Sequence, residues 1–134
     1  DVKGALRKQG ITIQRGDVVL FRTGQARFYE NADQYLHDYP GIGLDAVKWL
    51  VEEQNIMLLG ADNLSLEAFP PETEDNWVPV HTYLLAEKGV MFIEQMFLEE
   101  LAEDKVYEFA FIAASLKLRG TSGSPMRPIA IPIK

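Results

Sequence analysis

An α/β fold is predicted for this chain by two observations: segments of strand-like composition alternate with segments of helical periodicity, and the breaks between them are rich in Gly, Pro, Asn and Asp. A third observation bounds its size. With 134 residues, 47% hydrophobic content and no internal repeat or low-complexity stretch, the sequence reads as one domain able to bury a core of its own.

Asp1 is placed to cap a short helix through Lys8, which Gly10 stops. V-V-L-F-R at 18–22, β-branched and aromatic, reads as a strand. Residues 23–42 hold Gly24, Asn31, Asp33, Pro40 and Gly41 among several aromatics, the makeup of a long, partly packed surface loop. Leu44, Val47, Leu50 and Val51 recur at helical spacing, so 43–54 is an amphipathic helix, and I-M-L-L-G-A at 56–61 is the buried strand after it. A second loop, 68–79, carries Pro70, Pro71, Asn76, Trp77 and Pro79. Trp77 reads first as a packing residue and second as a platform for an aromatic ligand. Pro79 opens a further helical turn, Gly89 ends it, and V-M-F-I-E at 90–94 reads as a strand. Residues 96–103 form a short acidic helix. V-Y-E-F-A-F-I-A-A at 106–114 reads as a buried strand, L-K-L-R at 116–119 as an alternating one, and a turn at 120–125 leads to a last strand from Met126.

Thirteen basic and twenty acidic residues give a net charge of −7, which argues against a nucleic-acid surface or adsorption to anionic lipid and favours small-molecule ligands. The absence of cysteine excludes thiol catalysis, thiolate zinc sites and disulfides. No apolar run reaches the length of a membrane span, and a cytoplasmic location is expected. The glycines of G-T-S-G-S-P lack the Lys and following helix of a phosphate loop, and serve chain reversal instead.

The stretch richest in chemistry is V-P-V-H-T-Y-L-L-A-E-K-G-V-M-F-I-E-Q at 78–95, which joins His81 at a helix start to Glu94 at a strand end. Both are plausible metal donors, and the positive end of the helix dipole at His81 would favour the neutral imidazole a metal needs. A lone histidine and one glutamate equally describe a surface or hydrogen-bonded core pair, so their spacing alone decides nothing.

Read with R-G-D-V-V-L-F-R-T-G at 15–24, P-G-I-G-L-D-A-V-K-W-L at 40–50, L-L-G-A-D-N-L-S-L-E at 58–67 and L-K-L-R-G-T-S-G-S-P-M-R-P-I-A-I-P at 116–132, that stretch completes a series of five motifs in order. The series resembles the C-terminal half of the cyclase family of metal-dependent hydrolases, which includes bacterial kynurenine formamidase and isatin hydrolase. The resemblance implies a mixed-sheet α/β domain of the swivelling β/β/α type with a barrel-like core. It further implies a divalent metal, zinc or manganese, with late ligands at His81 and Glu94, or Gln95 if the register slips by one. The implied reaction is hydrolytic opening of a small amide or cyclic amide such as an aryl formamide or isatin, in a homo-oligomer with loops shared between subunits.

One departure is large. The family's main metal signature, H-x-G-T-H-x-D, is absent, and the other histidine is His37. The chain, opening on Asp1, therefore looks like a C-terminal portion, with the catalytic acid/base and most ligands upstream or on another chain. Catalytic zinc takes about three protein ligands, and His81 with Glu94 supplies two, so the chain alone is expected to be inactive. Asp62, Glu67 and His37 are weak further candidates, Asp62 and Glu67 reading equally well as turn-capping and solvent-facing groups. The alternative is a non-catalytic, cyclase-like structural or binding subunit.

Overall fold

The computed structural model describes residues 1–71 and 74–133. Its centre is a three-stranded parallel sheet, β1 (Val18–Phe21), β2 (Leu58–Ala61) and β3 (Met91–Ile93), with β2 in the middle. Val19 pairs with Leu59 and Gly60 with Ile93, so the three strands end at one level. Parallel strands need helical crossovers, and the two between them are helical. The first ends in α3 (Leu44–Lys48), which continues as wider π-helical turns over Trp49–Glu53. The second is α4 (Pro79–His81), continued likewise over Thr82–Lys88 and closed by Gly89 at φ 66°.

The apolar stripe read at Val47 and Leu50 is what these helices bury. Both residues are wholly enclosed, with Leu59, Leu66, Val80, Leu84, Ile42 and Tyr83 in the same cluster. Tyr83 also donates to Glu52, whose carboxylate pairs with Lys88 at 2.9 Å, tying the ends of the two helices together.

Several sequence expectations need correction. Asp1 precedes α1 (Val2–Gln9), which Gly10 ends at φ 72°, yet its side chain makes no capping bond. The segment 23–42 is not plain loop: it contains a 3-10 turn (Gln25–Phe28) and α2 (Ala32–Tyr35), and it buries Tyr35 and Tyr39. Aromatics enclosed by the fold gave this stretch regular turns that its Gly and Asn content concealed. Trp77 does not pack; it is 67% exposed. The second loop includes residues 72 and 73, which lie outside the described set.

The C-terminal third departs furthest. After α5 (Glu99–Glu103), β4 (Phe109–Ile112) and β5 (Ile129–Pro132) pair antiparallel as a separate two-stranded sheet. L-K-L-R at 116–119 is not strand, and β4 is half-exposed rather than buried, because only Phe109 and Phe111 turn toward the body. Among the described residues the two sheets stay separate, so the mixed α/β class holds while no barrel closes. Between them lies a groove of about 740 Å³ lined by Leu6, Val18, Leu20, Leu101, Phe109 and Phe111 among others. No helix of the described residues is long and apolar enough to cross a membrane.

One ion pair anchors α5 to the end of β1. Arg22 Nε and Nη2 meet both oxygens of Glu99 at 2.9 and 2.6 Å, the two-pronged geometry that makes an arginine–carboxylate pair strong. Arg22 holds the Glu99 carboxyl below its ordinary pKa against the opposing effect of burial. The unfolded chain therefore binds the proton more readily, so the pair's contribution is full above the ordinary glutamate range and is lost as pH falls through the depressed folded value. Glu99→Gln should lower stability at pH 7 by roughly 1 kcal/mol, since Arg22 is partly exposed. The gap from the unmodified protein should narrow steadily in denaturant titrations carried down through the acid range, below the ordinary glutamate pKa; a gap that does not change with pH would remove the pair from the account.

Candidate metal centre

In open parallel sheets, ligands gather beyond the carboxyl ends of the strands, and that is where the polar groups of this chain collect. Past β1 the chain turns at Thr23 and Gly24. Past β2 it reaches Asp62 and Asn63, and past β3 Glu94 and Gln95. His81 arrives from the adjoining first turn of α4.

Asp62, fully buried, accepts from Thr23 N–H (2.8 Å), Thr23 Oγ1 (2.7 Å) and Gly24 N–H (2.8 Å). It caps the turn after β1 rather than the one it starts, and is not solvent-facing. Its oxygens are occupied in holding two loops together. His37 is exposed, with Nδ1 3.2 Å from the Asp33 carbonyl, and belongs to the surface of the first crossover.

Glu67 corrects the sequence reading most. It is only 5% exposed, and a single oxygen, Oε1, accepts the backbone N–H of His81 at 2.9 Å and lies 2.7 Å from His81 Nδ1. Leu66, at φ 62°, turns the chain so that Glu67 faces inward. Asn63 Nδ2 donates to the Glu67 carbonyl at 3.0 Å and to that of Pro40 at 2.8 Å, while Ile42 N–H donates to Leu66 O. Gly41 lies so close to the Glu67–Ala68 peptide that no Cβ would fit. The one local hint was a glutamate enclosed by apolar neighbours in L-S-L-E-A-F.

On the other side of the ring, His81 Nε2 is 3.3 Å from Glu94 Oε1. The two side chains converge. The approach is not aligned as a hydrogen bond, and Glu94 Oε1 is buried without a hydrogen-bond partner among the described residues. The ring packs edge-on to Phe92 at 4.6 Å between centroids, which fixes its plane. Glu94 foremost, and Glu67 after it, raise the His81 pKa above the ordinary imidazole value, against desolvation. The two nearby carboxylates thus act against the helix dipole, which favours the neutral ring.

Gln95 is placed differently. It follows Glu94 in a left-handed conformation, φ 55°, with its N–H on Asn63 O and its side chain exposed. β3 ends at Ile93, so both residues lie just past the strand rather than within it.

An imidazole nitrogen facing a buried carboxylate oxygen that has no hydrogen-bond partner among the described residues fits two ligands of a zinc or manganese ion. Among the described residues no group of three or more His, Cys, Asp and Glu is arranged to hold one. None of His81, Glu67 and Glu94 lines the large groove, which is a separate feature.

Comparison with known proteins agrees with this architecture. The "Putative cyclase" family profile matches residues 1–68. Cyclase-like protein 3 of Oryza sativa subsp. japonica is 34% identical over 114 residues, covering 84% of this chain and 39% of the relative. The crystal structure of a novel cyclase superposes with TM-score 0.82 at 37% identity over 97% of this chain and 45% of its own. Isatin hydrolase A from Ralstonia solanacearum does so with TM-score 0.78 at 28% identity, over 96% of this chain and 50% of its own. The chain thus spans half or less of the length of these relatives, and over that span, in sequence and in fold, it belongs to the cyclase family.

Proposed function

We propose that this chain supplies part of the metal centre of a metal-dependent hydrolase that opens a small amide or cyclic amide, with His81 Nε2 and Glu94 Oε1 as two of the ligands. The observation that carries the reading is the buried Glu94 oxygen, unpartnered among the described residues, facing His81 Nε2 at 3.3 Å. The likeness to isatin hydrolase A supports the substrate class. A divalent cation bound there would supply Lewis acidity toward a carbonyl and make water a better nucleophile at neutral pH.

The chain's own residues hold and orient. Phe92 packs on the His81 ring and limits its rotation, and Glu67 occupies the nitrogen turned away from Glu94. Trp77, four residues before His81 and exposed, offers an indole face to an aromatic amide.

Titration of the protein with Zn²⁺ or Mn²⁺ by calorimetry tests the reading. Binding should be measurable and should be lost in His81→Ala; equal binding by both proteins would remove His81 from the centre. With two ligands this chain should not by itself hydrolyse an aryl formamide or isatin at added metal. Turnover that depends on His81 would show that the 134 residues carry a complete site.

The second reading, a cyclase-like structural or binding subunit, is favoured by the lack of a three-ligand group among the described residues. It would be supported by failure of the unmodified protein to bind either metal.

A further inference from the structure

We propose that Glu67 is a positioning residue: it locks the neutral form of His81 in the tautomer with its proton on Nδ1, which leaves the Nε2 lone pair aimed at Glu94. The inference rests on the metal-centre reading only for what Nε2 serves.

The geometry carries it in two steps. The residue preceding α4, Val78, makes no side-chain cap, so the N–H groups of the first turn need acceptors from elsewhere. Glu67 Oε1 meets that need by accepting the His81 N–H at 2.9 Å, which pins the oxygen to the helix end whatever the ring does. The same oxygen lies 2.7 Å from Nδ1. An ionised carboxylate accepts and cannot donate, and of the two ring contacts only the 2.7 Å one to Glu67 has hydrogen-bond geometry, so on the neutral ring the proton sits on Nδ1. Nε2 then bears the lone pair, and it faces Glu94 Oε1, another acceptor, at 3.3 Å. Two acceptors held face to face in a buried setting are stable only with a proton or a cation between them.

Glu67 is fixed on its backbone side too. Asn63 Nδ2 holds its carbonyl, Ile42 N–H holds that of Leu66, and Gly41 lies flush against the following peptide. A carboxylate gripped from both ends sets ring orientation far better than a mobile surface group. This is the role that outer carboxylates play behind metal-bound histidines, where their loss typically weakens metal binding ~10–100-fold.

Long-range ¹H–¹⁵N NMR on ¹⁵N-labelled protein, followed over a pH series and read on the neutral ring, reports the tautomer directly. The unmodified protein should show Nδ1–H. Glu67→Ala, which removes the acceptor, should show Nε2–H and bind Zn²⁺ ~10–100-fold more weakly. Glu67→Gln keeps an oxygen that the His81 N–H can pin, so it should retain Nδ1–H, and it serves as the readable variant if the alanine form does not fold. Nε2–H in the unmodified protein would overturn the inference regardless of metal. A tautomer that switches as expected in a protein that binds no zinc would keep the role of Glu67 and remove the metal-centre reading.

Discussion

On the proposed metal-centre reading, with the remaining ligands supplied from outside this chain, Glu94→Ala is expected to strip most of the metal from the complete protein and abolish most turnover, while Gln95→Ala leaves metal content near normal. Glu94 Oε1 is buried and lies against the histidine nitrogen, so removing it deletes a negative oxygen donor at the one place where the neighbouring groups converge. The loss should exceed the ~10–100-fold that follows removal of an outer partner, because on that reading a ligand itself would be gone. Gln95 cannot substitute. Its side chain is exposed, and its backbone is held in a left-handed conformation by the bond from its N–H to Asn63 O, which an alanine would keep. Metal analysis and steady-state kinetics on both variants decide the matter. A metal-free Gln95→Ala beside a loaded Glu94→Ala would move the ligand one residue along.

Gly41→Ala should be strongly destabilising for a single-methyl change. Its Cβ would fall inside the van der Waals envelope of the Glu67 carbonyl and the Ala68 nitrogen, backbone atoms that cannot rotate away. Forced overpacking of this kind costs on the order of 3 kcal/mol or more, and the displacement acts on the residue that positions His81. Gly60→Ala is the control. There the added carbon meets Leu20 Cδ2 at 2.6 Å and Met96 Sδ at 2.8 Å, side-chain ends able to move, and about 1 kcal/mol should suffice. Urea midpoints at unchanged slope measure both. Equal losses in the two variants would mean that the 39–42 segment yields, and that Glu67 is less firmly held than its contacts imply.

Strands β1 and β2 were legible in the sequence because V-V-L-F and L-L-G-A carry a local signal, apolar runs bounded by turn residues, that tertiary context reinforced. The amphipathic helix at 43–54 was legible for the same reason, its stripe at Val47 and Leu50 being the core. His81 and Glu94 stood out through motif order, and spacing alone would not have paired them. Glu67 was hidden because its burial depends on one left-handed residue, Leu66, and on a segment more than twenty positions upstream, neither of which periodicity records. The exposed face of β4 was misread for a related reason. An apolar run announces that burial suits it, not that this chain provides the cover.

The ladder joining β2 to β3 spans only Leu58↔Met91, Leu59↔Phe92 and Gly60↔Ile93. Beyond it, Gln95 N–H on Asn63 O and Met96 N–H on Ala61 O carry the attachment past the last paired residue. The stretch from Gly89 to Glu94 therefore acts as a ruler: the glycine marks zero at the helix end, and the carboxylate is read off at a fixed count. Substitutions along the ruler change its finish, but a single inserted or deleted residue changes its length and would deliver Ile93 or Gln95 to the place opposite the imidazole. Loss of the proposed centre thus needs no change at His81 or Glu94, and a homologue that keeps both has kept the interval between them as much as the residues.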